Sequence, residues 1–280
     1  CIRDSFMTPR MRAVVKPSLE IMAALPTVIL GFLAGLWLAP LLEKKLPGFT
    51  LALLVMPLLV ILAAYLWNRI PESWKRLNLE GWEALFLVPV LGLAAWLSLI
   101  MGDFIQVTFF NGSLTHWMST EMGITYDQRN SLVVGMAIGF AVIPTIFSIS
   151  EDAVFGVPRS LTMGSLALGA TTWQTALRVV LLTASPGIFS AIMIGMGRAV
   201  GETMIVLMAT GNTPIMDLNI FEGFRALSAN IAVEMPEAEV ASTHYRILFL
   251  AALVLFLVTF IVNTIAEVVR QRLREKYSSL

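Results

Sequence analysis

The stretch Gly195-Met-Gly-Arg-Ala-Val-Gly-Glu-Thr-Met204 decides how this chain is read, because it sets an arginine and a glutamate inside an apolar run long enough to cross a bilayer. Each such charge costs about 2.5–3.5 kcal/mol on insertion scales, so charged residues at that depth face a bundle interior or a polar path. Arg198 and Glu202 stand four residues apart. In a continuous helix they share a face and can pair. Upstream lies Gly164-Ser-Leu-Ala-Leu-Gly-Ala-Thr-Thr-Trp173, a segment of small residues between two helical patterns.

Composition sets the class. Of 280 residues, 57% are hydrophobic and 14% charged, whereas a soluble domain is about half apolar and a quarter charged. The chain therefore reads as an all-α integral membrane protein in contact with lipid. Nineteen basic and nineteen acidic residues cancel, and no polybasic stripe points to nucleic acid. A single cysteine, Cys1, excludes an internal disulfide framework, and two distant histidines, His116 and His244, make poor metal ligands.

Six stretches approach the roughly 20 residues of a spanning helix, near 21–42, 51–67, 82–105, 131–150, 187–209 and 247–268. Arg3, Arg10, Arg12 and Lys16 precede the first. Arg69, Lys75 and Arg76 follow the second, Arg159 and Arg178 the fourth, and Arg270, Arg272, Arg274 and Lys276 the last. All fall on one side, which the positive-inside rule makes cytoplasmic, the C-terminus included. Lys44 and Lys45, in a short outer turn, run against it. The opening Cys1-Ile-Arg-Asp lacks a signal-peptide layout. A lipid-modified cysteine would put it outside, against the charge bias, so the chain is expected to be the C-terminal portion of a longer protein.

Glycine pairs at spacing four, Gly31/Gly35, Gly135/Gly139 and Gly197/Gly201, suggest close helix approach. The second and third stretches look like a peripheral addition. The expected organisation is a cytoplasmic segment 1–20, a first core span 21–42, an inserted region 43–127, a core 128–270 with a polar loop 151–185, and a tail 271–280. Within the loop, residues from Pro158 to Leu168 read as a short helix stopped near Gly169. Thr171 with Gln174 forms a capping-box pattern for a second helix running to about Ala184. Pro186-Gly187 marks entry to the fifth span. Such a loop suits docking into a partner's cleft, or is an ordinary interfacial segment.

These residues resemble a known family. The loop is similar to that of ABC importer permeases, in which a glutamate and two alanines precede a central glycine, here Gly169. Leu166-Ala-Leu-Gly-Ala-Thr171 with Trp173-Gln174, and Gly197-Arg-Ala-Val-Gly-Glu-Thr203, closely resemble PstC-type phosphate permeases. Val15-Lys-Pro-Ser-Leu-Glu20, Ala24-Leu-Pro26, and Ile143-Pro144 before Ser150-Glu-Asp-Ala153 extend the likeness. The loop departs from the pattern where Met163 replaces the glutamate, Gly164 and Ser165 the alanines, and Leu181-Leu182 the Leu-Pro end. Residues 51–127 find no counterpart.

The resemblance implies the type I importer permease fold, a polytopic bundle of about six spans with a coupling-helix loop, in a bacterial inner membrane. It implies import of inorganic phosphate, with an ABC ATPase dimer, a second homologous permease and an extracytoplasmic phosphate-binding protein as partners. ATP and Mg would be bound by the ATPase, since no GxxxxGK[ST] occurs in this chain. Gly164, Ser165, Leu168, Gly169, Ala170 and Thr171 would form the ATPase-coupling loop. Arg198, Glu202 and Thr203 would line the path, with Glu202 neutralising Arg198 in one state; a static buried pair is the alternative. Sulfate or molybdate remain alternative substrates. A membrane-embedded enzyme is disfavoured by the absence of GxSxG and HExxH.

Overall fold

The computed structural model describes residues 9–69, 83–110 and 112–278. Cys1, Arg3, Lys75 and Arg76, named above, and the first residue of the expected third stretch lie outside the described residues.

Among the described residues the chain is helical. In order come α1 (Pro9–Ala24), α2 (Thr27–Leu33), a wider π turn (Ala34–Leu38), α3 (Ala39–Arg69), α4 (Glu83–Phe109), α5 (Leu114–Glu121), α6 (Ser131–Phe155) and α7 (Arg159–Ala167). Then follow α8 (Thr172–Thr175), a second π turn (Ala176–Val180), α9 (Leu181–Gly201), α10 (Met204–Thr210), α11 (Leu227–Glu234) and α12 (Thr243–Ser278).

Five continuous stretches are long and apolar enough to cross a membrane: Thr27–Leu66, Leu87–Phe109, Ser131–Phe155, Thr172–Gly201 and Thr243–Arg272. The first joins the first two expected spans. Its 40 residues amount to about 60 Å at 1.5 Å per residue, twice a hydrocarbon core of about 30 Å. It is not one straight rod. At Lys45 the backbone leaves helical geometry (φ −115°, ψ 20°). Two residues on, Pro47 removes a backbone donor and its ring crowds the carbonyl of Glu43.

The core centres on α6. Asn130 is wholly buried, caps α6 by accepting from the Val133 amide at 3.0 Å, and donates to the Asp127 carbonyl at 2.8 Å. Val133, Val134, Ala137 and Ala141 recur at helical spacing and meet Ala34, Ala39, Leu42, Ile205, Val206, Ala209 and Ala229. α9 packs along α6 through Gly187, Ala191 and Gly195. A Cβ at Gly187 would lie 2.4 Å from that of Ala153, and one at Gly195 2.6 Å from Ile146. This four-residue series, absent from the sequence reading, is the close-contact stripe of α9. Of the three expected pairs, Gly31/Gly35 seats α10, with Cβ positions 2.9 Å from Ile205 Cα and 2.7 Å from the Met208 carbonyl. Gly135, Gly139 and Gly201 face open space, and Gly197 faces Asn263.

α3 and α4 pack chiefly on each other. Gly102 meets the backbone of Gly48, and Ser98, fully buried, returns its hydroxyl to the Ala94 carbonyl at 2.7 Å. Lys45 forms an ion pair with Asp103. The two segments flanking the core at its far end are knitted together: the Asp127 amide donates to the Phe221 carbonyl at 2.8 Å, and the Ser131 amide to that of Glu222 at 3.0 Å.

A Cβ at Gly102 would approach Gly48 to 2.3 Å, so both backbones must shift. Gly102→Ala is expected to lower the melting temperature in detergent, at a cost of about 1–3 kcal/mol. Gly92→Ala, whose Cβ meets nothing within 4 Å, should leave it unchanged.

Candidate functional site

Arg198 and Glu202 do not form the pair that their spacing predicts. α9 ends at Gly201, Glu202 is extended (ψ 124°), and Thr203 is the N-cap of α10, which begins at Met204. The four-residue rule needs an unbroken helix, and here the helix stops one residue before the glutamate. The expected fifth span, 187–209, is therefore two helices joined by a break. It also begins earlier than Pro186, since the helical stretch runs from Thr172 through Pro186 to Gly201. Ser185 donates to the Leu182 carbonyl at 2.8 Å, supplying the bond that Pro186 cannot.

Arg198 turns instead toward α6, and its Nη1 donates to the Thr145 hydroxyl at 2.8 Å. The residue is exposed on this chain, and among the described residues no carboxylate lies within ion-pair distance of it. The carbonyl of Glu202 accepts from the Ser228 hydroxyl of α11 at 3.2 Å. The Thr203 hydroxyl folds back onto the Gly201 carbonyl at 3.2 Å. Both of these bonds stabilise the break.

Two cavities border α9 and α12. One of about 410 Å³ is lined by Ser190, Gly197, Arg198, Asn263, Glu267 and Arg270. The other, of about 570 Å³, lies among α6, α9 and α12 beside Asp152, Thr183, Ser190 and Arg270. Arg270 donates to Glu267 at 2.6 Å, and Gln271 donates to the same oxygen at 3.2 Å. The sequence reading assigned Arg270 to the cytoplasmic cluster and passed over Glu267. Their three-residue separation in the last span is the signal that could have found them. Thr145, distant in sequence from Arg198, left no such signal.

The turn between α7 and α8 follows its local sequence closely. α7 ends in a Schellman motif: the Ala170 amide donates to the Ser165 carbonyl at 3.2 Å and the Gly169 amide to that of Leu166 at 3.0 Å. Gly169 takes φ +86°, where a side chain would be strained. Thr171 and Gln174 form the reciprocal capping box. Ser165 and Thr175 share a hydroxyl–hydroxyl bond of 3.0 Å that ties the two helices. Gly164 and Thr171 are exposed and Ala170 half-buried. The apex is apolar and open, with Leu168 91% and Met163 66% exposed.

His244 is not a solitary loop histidine. Its Nε2 lies 3.1 Å from Glu234, which also receives Arg225 at 3.2 Å. Among the described residues His, Cys, Asp and Glu do not gather in threes as metal ligands do.

Comparison with known proteins follows the same direction. The probable ABC transporter permease protein YqgH of Bacillus subtilis is 32% identical over 65% of this chain and 57% of its own length. The phosphate transport system permease protein PstC of Mesorhizobium japonicum is 28% identical over 84% of this chain and 73% of its own. The PstC protein of Pasteurella multocida is 27% identical over 85% and 75%. No solved structure matches the chain. Residues 6–275 match one family model: the chain belongs to the binding-protein-dependent transport system inner membrane components.

Proposed function

We propose that this chain is one of two permease subunits of an ATP-driven importer of inorganic phosphate and forms half of its anion path. Arg198 carries the reading. A guanidinium keeps its charge in a low dielectric and offers a planar fork suited to phosphate oxygens. Thr145 occupies one of its five donors, which leaves the others for an anion. The names of the PstC relatives support phosphate over sulfate or molybdate.

Glu202 takes a different part from the one its spacing suggests. Set in the break after α9, its carboxylate lends negative charge beside the path without closing on Arg198. Thr203 holds the break open. Irregular backbone at membrane depth is tolerated where protein buries it or where it lines a cavity, which is how a path residue can sit beside it.

The ATPase dimer docks on the α7–α8 turn, through Gly164, Ser165, Leu168, Gly169, Ala170 and Thr171, and supplies ATP and Mg from its own site. Met163 offers packing where the family pattern has a charge. The second permease covers the face on which Arg198 is exposed. The extracytoplasmic binding protein meets the segments 106–127 and 210–245, whose knitted backbone gives it a firm surface. The chain then lies in the bacterial inner membrane, with the end of α12 in the cytoplasm.

Labelled phosphate uptake by cells with the complete transporter, at equal membrane levels, tests the path. Arg198→Ala is expected to abolish uptake and Arg198→Lys to retain under about a tenth, while sulfate and molybdate fail to compete. Thr145→Val should reduce uptake about three- to tenfold, the worth of one hydrogen bond of about 1 kcal/mol. Normal uptake by Arg198→Ala would remove the arginine from the path, and competition by another oxyanion would change the substrate.

Copurification of the ATPase tests the turn. Leu168→Asp, at a residue 91% exposed, should leave the chain's abundance unchanged and detach the ATPase, because a buried unpaired carboxylate opposes docking. Retention of the ATPase would place its contact elsewhere.

A further inference from the structure

We infer that Ser190 and Arg270 form a second oxyanion station, two helical turns along the groove between α9 and α12 from Arg198, with Glu267 as its built-in counter-charge. The inference rests on the import reading above and extends it from one guanidinium to two.

The geometry is a ladder. α9 and α12 pack together, and Gly197 faces Asn263. Seven residues back along α9 is Ser190 and seven residues on along α12 is Arg270, and this second level lines both cavities. Seven residues are two turns, about 10 Å. The 410 Å³ cavity holds Arg198 and Arg270 together. The 570 Å³ cavity holds Arg270 without Arg198 and continues past Asp152 to Gly156 and Val157, where α6 gives way to α7. Arg270 is thus the wall common to both, and an anion that leaves Arg198 toward the α7 end meets it next.

The counter-charge makes the station a weak one. Glu267 accepts from Arg270 at 2.6 Å with both side chains 45% exposed. An ion pair that open is weak, because water screens it, so a tetrahedral oxyanion can take the fork and the carboxylate can reclaim it. Ser190 adds a hydroxyl donor, and Asp152 in the farther cavity adds a negative charge that opposes retention. A phosphodiester lipid headgroup shares the chemistry of a free oxyanion, so the test must separate the two.

The complete transporter in proteoliposomes, with ATP inside and the binding protein outside, is assayed for import of phosphate, sulfate and molybdate while the luminal concentration of the imported anion is varied. Glu267→Gln bares Arg270 and is expected to lower the luminal concentration that half-inhibits import about tenfold. Arg270→Gln should raise it about tenfold and slow maximal import, with Arg270→Lys between, and ATP hydrolysis reports on assembly in each variant. A purely structural ion pair would leave luminal half-inhibition unchanged and make both neutralisations harmful alike, which overturns the station and leaves the import reading standing. Luminal effects seen only in vesicles containing phosphatidylglycerol, and not in phosphatidylcholine alone, would make the site a lipid anchor and likewise overturn it. Failure of the wild type to import any of the three anions overturns the import reading and the station together.

Discussion

Inside hydrocarbon a backbone carbonyl that loses its amide finds no water, so every interruption of a spanning helix must be repaired by a side chain close at hand. This chain interrupts its helices repeatedly and repairs them with hydroxyls. Ser228 serves the Glu202 carbonyl, Thr203 that of Gly201, and Ser185 that of Leu182 below Pro186. Thr50 divides its hydroxyl between the carbonyls of Leu46 and Pro47 just after the bend at Lys45. The break after α9 depends on α11 in particular. α11 buries Ser228 and Ala229 against the core formed with Ile205 and Val206, so the segment 210–245 supports the membrane part of the chain as well as covering it.

Charge follows the same economy. Lys45, one of the residues that run against the positive-inside pattern, meets Asp103 across the α3–α4 pair, so its charge is neutralised where it occurs. Arg270 meets Glu267 near the end of α12. Arg198 is different, since its one described partner is a neutral hydroxyl. A cation lodged against a hydroxyl is positioned without being neutralised, which is what the proposed anion path asks of it.

What was legible in the sequence was local. The Schellman end at Gly169 and the capping box at Thr171 and Gln174 depend on residues within one turn, and the structure has both. The membrane class was legible because it is a sum over composition. Contacts between segments were not. Gly48 with Gly102, Lys45 with Asp103 and Arg198 with Thr145 join residues more than fifty positions apart, and nothing in either partner names the other. The glycine pairs show the limit well. Gly31/Gly35 packs tightly while Gly135/Gly139 meets nothing, although the spacing is the same. The stripe that α9 uses runs through Gly187, Ala191 and Gly195, one face away from Gly197/Gly201. The Arg198–Glu202 expectation failed for a sharper reason: residue spacing becomes a shared face only if the helix continues, and Gly201-Glu-Thr203 ends it.

A path differs from a binding site in that its charges must avoid holding their ligand. Passage requires entry favourable enough to draw the ion in and binding weak or divided enough to let it go. A solitary buried arginine would fail the second condition, since an anion desolvated against an uncompensated guanidinium has nowhere better to go. On the proposed reading, the first fork, Arg198, is exposed and among the described residues is tethered by Thr145, and the next, Arg270, carries its own carboxylate at 2.6 Å. Each proposed step would then exchange one partner of the guanidinium for another. Divided in this way, the proposed path would stay shallow at each station, and the work of a partner's ATP hydrolysis would fall on moving the helices between outward and inward openings. The π turn at Ala176–Val180 and the break at Glu202 bound the helix that bears both Ser190 and Arg198. If an ATPase docks on the α7–α8 turn as proposed, its pull would reach Ser190 and Arg198 through this one element.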